Sequence, residues 1–81
     1  MEAAQFTVYG HSYCSLCETM LGQLAPLQKE LGFTLSWVDI EGDKVLEQRF
    51  GELVPVLMMG DEHVCHYHLD EAALQQHFNR S

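Results

Sequence analysis

Apolar residues recur along the chain first at nearly every position, then every third or fourth, then in alternation, and these changes of period mark out successive elements. Gln5-Phe-Thr-Val-Tyr9 is almost entirely apolar or β-branched and stops at Gly10, which predicts a strand covered on both faces. From about Ser15 the spacing becomes helical. Cys17, Met20, Leu21, Leu24, Leu27 (or Gln28) and Leu31 share one face, and Gly32 supplies the C-terminal stop. Pro26 has no N–H for the carbonyl of Gly22 and its ring crowds that carbonyl, but the apolar face stays in phase to Leu31. A kink near Gly22–Pro26 is therefore expected rather than a break. Phe33 to Val38 alternates as a strand, with Phe33, Leu35 and Trp37 on one side. A short helix follows from about Asp43 to Phe50, turning Val45, Leu46 and Phe50 inward and ending at Gly51. Val54 to Met59 is a third strand opened by Pro55, Gly60-Asp61 a tight turn, and Glu62 to Tyr67 the returning hairpin partner. Asp70 is placed to N-cap a last helix through about Phe78, with Ala73, Leu74 and Phe78 (or His77) on its buried side.

The order is β-α-β-α-β-β-α. A long helical crossover makes the first two strands parallel, and the last two form a hairpin. The fold class that follows is α/β: a four-stranded mixed sheet with helices on both faces. Residues 1–81 leave room for one domain only, with no repeat, linker or low-complexity segment.

Composition narrows the function without choosing it. Twelve Asp and Glu against four Lys and Arg give a formal charge of −8, and Lys29, Lys44, Arg49 and Arg80 are scattered. Such a surface repels phosphate backbones, so nucleic acid is not expected as a partner. No apolar run is long enough to span a bilayer, and the start Met1-Glu-Ala-Ala-Gln lacks the basic and apolar stretches of a secretion signal. A cytoplasmic monomer is the expectation. Three cysteines are too few for a disulfide scaffold, and in a reducing compartment a close pair points to catalysis or metal.

That pair is Cys14-Ser-Leu-Cys17. Cys14 falls where the chain passes from strand and loop into helix, and unpaired N–H groups and the positive end of the helix dipole stabilise an anion there. A lowered Cys14 pKa is expected. Cys17, one turn on, can close a disulfide and donate a hydrogen bond to the Cys14 sulfur. The chemistry this implies is thiol–disulfide exchange, with Cys14 attacking and Cys17 resolving. Two packed, inert thiols are the plainer alternative. Val54-Pro55 is the second feature. An X–Pro bond can be cis, and a cis bond here would turn the Val54 main chain toward open space beside the cysteines, where an extended peptide could pair. An ordinary trans proline opening an edge strand is the alternative.

With Tyr9-Gly-His-Ser-Tyr-Cys14-Ser-Leu-Cys17, Val54-Pro55 and the final hairpin in this order, the chain resembles the glutaredoxins. It is similar above all to the short bacterial glutaredoxin-like proteins of the thioredoxin superfamily, which carry Leu before the second Cys. The resemblance covers nearly the whole chain. It implies a thioredoxin-like fold, Cys14 as nucleophile, Cys17 as resolving thiol and Pro55 as a cis-proline facing them. It makes His11, Tyr13, Ser15, Leu16, Val54 and Pro55 the candidate substrate-binding residues, with His11 where glutaredoxins often carry a Lys. Three departures weigh against glutathione. Ser15-Leu16 replaces the usual Pro-Tyr, Cys65-His66-Tyr67 stands where a Gly-Gly pair normally lets the tripeptide approach, and Glu52-Leu53 precedes the proline in place of basic residues.

The expected substrate is thus a protein or low-molecular-weight disulfide. No cofactor is permanently bound, and glutathione or a reductase is a candidate partner for recycling. Two other classes compete. Cys14, Cys17, Cys65 and one of His63, His66 or His68 would make a Cys3His set for zinc, and Cys14 with outside thiols could bridge an iron–sulfur cluster between chains. Alternation along the strand, however, puts His66 and His68 on one face and Cys65 on the other. A non-catalytic peptide-binding adaptor is the third class. Cys65 reads as an apolar filler, with a redox thiol or glutathionylation site as its sharper reading. Met58 and Met59 read as core.

Overall fold

The computed structural model describes residues 4–80, so the expectation that the first three residues belong to no secretion signal lies outside them. Seven elements follow in order: β1 (Gln5–Gly10), α1 (Ser15–Leu31), β2 (Thr34–Asp39), α2 (Lys44–Phe50), β3 (Val56–Met59), β4 (Glu62–His66) and α3 (Glu71–Arg80). The strands lie in the order β2-β1-β3-β4. β1 runs parallel to β2, with Gln5 opposite Thr34 and Gly10 opposite Asp39. It runs antiparallel to β3, with Tyr9 opposite Val56. As a central strand β1 has both faces covered, which is why its sequence is nearly continuous in apolar and β-branched residues.

The two faces carry separate cores. On one, Phe6 and Val8 of β1, Met20 and Leu24 of α1, Leu57 of β3, Val64 and Cys65 of β4 and Leu74 of α3 form one buried cluster with Phe33. Phe6 and Phe33 meet edge to face at 4.9 Å. On the other, Ile40, Val56, Met58 and Phe50 of α2 form a smaller cluster, with Tyr9 stacked on Phe50 at 4.6 Å. Each fully buried Leu or Phe removes enough apolar surface from water to contribute about 1.5–3 kcal/mol, so the larger cluster dominates stability.

Local signals set the ends of the helices. Cys14 is the N-cap of α1, and Gly32, at φ 80°, closes it with a bond from its N–H to the Gln28 carbonyl. Asp43 caps α2 through the N–H groups of Val45 and Leu46, and Asp70 Oδ1 accepts from the Ala73 N–H at the start of α3. α1 continues through Pro26 as one helix.

Five expectations need correction. Val45 does not face inward but is 66% exposed, because α2 is only two turns long and covers the sheet with Leu46 and Phe50 alone. β3 starts at Val56, after the proline, and β2 starts at Thr34, after Phe33. β4 stops at His66, because Tyr67 takes φ 64° and turns the chain out of the ladder. Regular alternation along β4 also fails. The register slips between Leu57 and Met58, leaving Val64 and Cys65 both buried as neighbours. That bulge puts His63, opposite Met58, on the same side as His66, opposite Val56.

Candidate active site

The site lies at the C-terminal ends of β1 and β2, where the chain leaves the sheet. Gly10 ends β1, a short loop follows, and Cys14 takes an extended backbone (φ −112°, ψ 113°) before α1 begins. Its sulfur accepts the Cys17 N–H at 3.1 Å, so a cysteine fills the capping place that Ser or Asp usually takes. Cys14 and Cys17 are joined as a disulfide with their Cα atoms 5.1 Å apart, within the range such a bridge requires. The two sulfurs differ in access: Cys14 is half-buried, and Cys17 is only 1% exposed.

The loop is tied down from β2. Ser12 Oγ donates to Asp39 Oδ2 at 2.9 Å, and the other Asp39 oxygen accepts the Glu41 N–H at 2.9 Å. The Glu41 N–H, then the Ser12 hydroxyl, with a small contribution from His11, hold the Asp39 carboxyl below its ordinary value against slight desolvation. The Ile40 N–H donates to the Gly10 carbonyl at 2.9 Å, continuing the parallel ladder under the loop. Gly10 itself is required by close approach. A Cβ there would stand 2.6 Å from Cys17 Sγ and 2.9 Å from the Trp37 ring.

Opposite the cysteines the Val54–Pro55 bond is cis. Among the described residues no backbone hydrogen bond is made by Val54, whereas the Pro55 carbonyl accepts the Tyr67 N–H at 2.9 Å. The Tyr67 hydroxyl in turn donates to the Glu52 carbonyl at 2.8 Å. The segment leaving β4 is thereby fastened to the segment entering β3.

An open cleft of about 520 Å³ lies over Cys14. His11, Tyr13, Ser15, Leu16 and Val54 line it, and Tyr13 is 94% exposed. Pro55 is buried, presenting Val54 to the cleft rather than lining it. Glu41 also lines the cleft, and Asp39 anchors its loop. The sequence pattern singled out neither. The signal available was their position, at and just past the C-terminal end of a parallel strand, where α/β folds gather ligand contacts.

The proposed zinc set does not assemble. Cys65 lies with the larger core while His63 and His66 face the other way, and among the described residues no group of three or more His, Cys, Asp or Glu side chains gathers to hold an ion. Burial raises the Cys65 pKa, so at neutral pH it is a protonated, packed thiol.

A four-stranded sheet with this order, a Cys-x-x-Cys pair capping the first long helix and a cis-proline across from it define a protein of the thioredoxin fold. Solved structures agree. The thioredoxin of Fasciola hepatica superposes with a TM-score of 0.61 at 14% identity, covering 96% of this chain and 80% of its own. The Deadhead thioredoxin of Drosophila melanogaster also gives 0.61 at 14% identity, over 98% and 81%. Likeness is much greater to protein Ne2328 of Nitrosomonas europaea, with a TM-score of 0.86 and 35% identity over 96% of this chain and 94% of that one. Uncharacterized proteins of Mycobacterium tuberculosis and Mycobacterium bovis are 28% identical over the whole of this chain and 89% of theirs. The model of the glutaredoxin-like domain (DUF836) matches residues 5–79, and the chain belongs to that family. Fold and sulfur pair together support a redox role. No helix among the described residues is long and apolar enough to cross a membrane.

Proposed function

We propose that the protein is a thiol–disulfide oxidoreductase that reduces or exchanges disulfides through Cys14 and Cys17. The observation that carries this reading is the asymmetry of the pair. The half-buried sulfur sits at a helix N-terminus with an N–H aimed at it, and its partner sulfur is sealed in the core beside it. The Cys17 N–H and the helix dipole stabilise negative charge on Cys14 once the bridge is open. The Cys14 thiolate attacks one sulfur of a substrate disulfide, forming a Cys14–substrate disulfide and releasing the other substrate sulfur as a thiolate, which takes up a proton. Cys17 then loses its proton and attacks Cys14 Sγ. The Cys14–Cys17 bridge closes, the second substrate thiol leaves, and two electrons have passed from the protein to the substrate. An external thiol or dithiol reductant reopens the bridge.

Val54 supports a role in substrate orientation. Its main chain is unpaired and lines the cleft, so an extended segment carrying the target disulfide can add alongside it. Tyr13 and Leu16 offer apolar contact, His11 and Ser15 polar contact. Glutathione fits less well than a protein disulfide or a neutral small one. Glu41 lines the cleft, so an anionic tripeptide meets a like charge there. Monomeric action in a reducing, cytoplasmic setting completes the proposal.

The test is reduction of a small model disulfide by the dithiol form. Cys14→Ser is expected to abolish turnover, and Cys17→Ser to accumulate a Cys14-linked mixed disulfide visible by intact mass. Equal activity of the wild type and Cys14→Ser overturns the assignment.

A further inference from the structure

The bulge in β4 leaves one arrangement that the redox chemistry does not use. In a regular strand residues three apart point to opposite faces, yet His63 and His66 turn to each other here, because Val64 is the extra residue and drops into the core beside Cys65. His63 Nε2 and His66 Nδ1 stand 3.0 Å apart, with ring centroids at 5.1 Å. Among the described residues neither imidazole hydrogen-bonds anything except the other.

We infer that His63 and His66 form a two-histidine chelate for a borderline divalent cation of the zinc, nickel and copper class. Two imidazole nitrogens bound at about 2.0–2.1 Å are separated by about 3.3 Å on a tetrahedral ion and about 2.9 Å on a square-planar one, so the observed 3.0 Å lies within the bite such ions accept. Without an ion the two nitrogens face each other, and turning both rings would aim them at an ion lying to one side of the line between them. The donor type fits this class, since neutral imidazole suits zinc, nickel and copper and not the oxygen-seeking calcium or magnesium.

The backbone also holds the pair in place. The backbones of both histidines are fixed by pairing with β3, and the His66 ring is backed by Tyr67 at 4.8 Å, which is itself tied to Glu52 and Pro55. Little backbone freedom is therefore left to lose on binding. Glu62, the neighbouring carboxylate, is engaged elsewhere: Arg80 holds it at 3.1 Å and His77 stands 3.7 Å from it. The chain therefore supplies two ligands, and the remaining positions face solvent, open to water or to a group from another molecule. This site is separate from the cysteines and involves neither thiol.

The experiment titrates Zn²⁺, and separately Ni²⁺, into the full-length protein with Cys14 and Cys17 oxidised, so that no thiolate competes and the result does not depend on the redox reading. Calorimetry is expected to give one ion per chain. His63→Gln and His66→Gln are each expected to weaken binding roughly a hundredfold, as loss of one arm of a chelate does, while His68→Gln leaves it unchanged. Long-range nitrogen–proton spectra should show Nε2 of His63 and Nδ1 of His66 shifting together on addition of Zn²⁺, a readout that also verifies folding of each variant. Absence of stoichiometric binding, binding that survives both substitutions, or a His68→Gln loss as large as theirs would overturn the assignment.

Discussion

Replacing Gly10 with alanine adds a single methyl group where the structure has no space for one. The new Cβ would lie 2.6 Å from Cys17 Sγ and 2.9 and 3.0 Å from two Trp37 ring carbons, all well inside van der Waals contact. Backbone strain plays no part, since Gly10 is an ordinary strand residue. The two neighbours differ in how they can yield. Trp37 lies on an edge strand, is 40% exposed, and can swing outward. Cys17 is 1% exposed and anchored in α1. Overpacking of this kind costs about 1–3 kcal/mol. Stiffening of the unfolded chain by alanine offsets about 0.4–1 kcal/mol of that. A net loss of about 1–2 kcal/mol lowers Tm by roughly 4–8 °C per kcal/mol in a domain of this size. Because the displaced atom is the resolving sulfur, the Cys14 mixed disulfide should also outlive that of the wild type. Thermal unfolding followed by circular dichroism, with quenched-flow trapping of the mixed disulfide by mass, measures both effects. Trp37→Ala in the same background should restore part of the stability and little of the resolving rate. A Gly10→Ala protein as stable as the wild type, resolving at the same speed, would show that the space around Cys17 is not as described.

Other substitutions test the surroundings. Asp39→Asn should loosen the loop that Ser12 ties down. The Asp39 carboxyl is held below its ordinary 3.8, so its contribution is complete above that pH and fades as pH falls through the lower folded value; the stability curves of the wild type and the Asp39→Asn variant should converge in acid, and parallel curves from about pH 2 to 6 would refute the link. Cys65→Ala should cost about 1 kcal/mol and leave disulfide reduction intact, and native Cys65 should resist alkylation while reduced Cys14 reacts. Its raised pKa means that its stabilising effect is full below about 9 and declines above it, a loss that titration of unfolding with pH can follow. Val45→Ser should change stability by less than about 0.5 kcal/mol in denaturant unfolding, because its side chain is in water.

The sequence was most informative where a local rule coincided with the global fold. β1 was readable because a strand buried on both faces must be apolar throughout, and α1 because its buried stripe of Cys17, Met20 and Leu24 holds its period past Pro26. The cysteine pair at a strand-to-helix junction was legible for the same reason: spacing and capping position are both local. The reading failed for Val45, since a two-turn helix shows too little period to say which apolar residue is covered. It failed along β4, where one extra residue inverts the expected alternation and no composition signal announces a bulge.

From the chain alone came the order of elements, the parallel start and hairpin end, the acidic surface and the two sulfurs one helical turn apart. These depend on neighbours within a few residues, whose geometry the backbone fixes. Only tertiary structure decided that Glu41 and Val54, 13 residues apart, share a cleft with Cys14, that Asp39 anchors the loop before it, and that His63 meets His66 while Cys65 turns away. Such meetings depend on how strands register against one another. Register is set by the packing of the whole sheet on its two cores, so no stretch of sequence carries it.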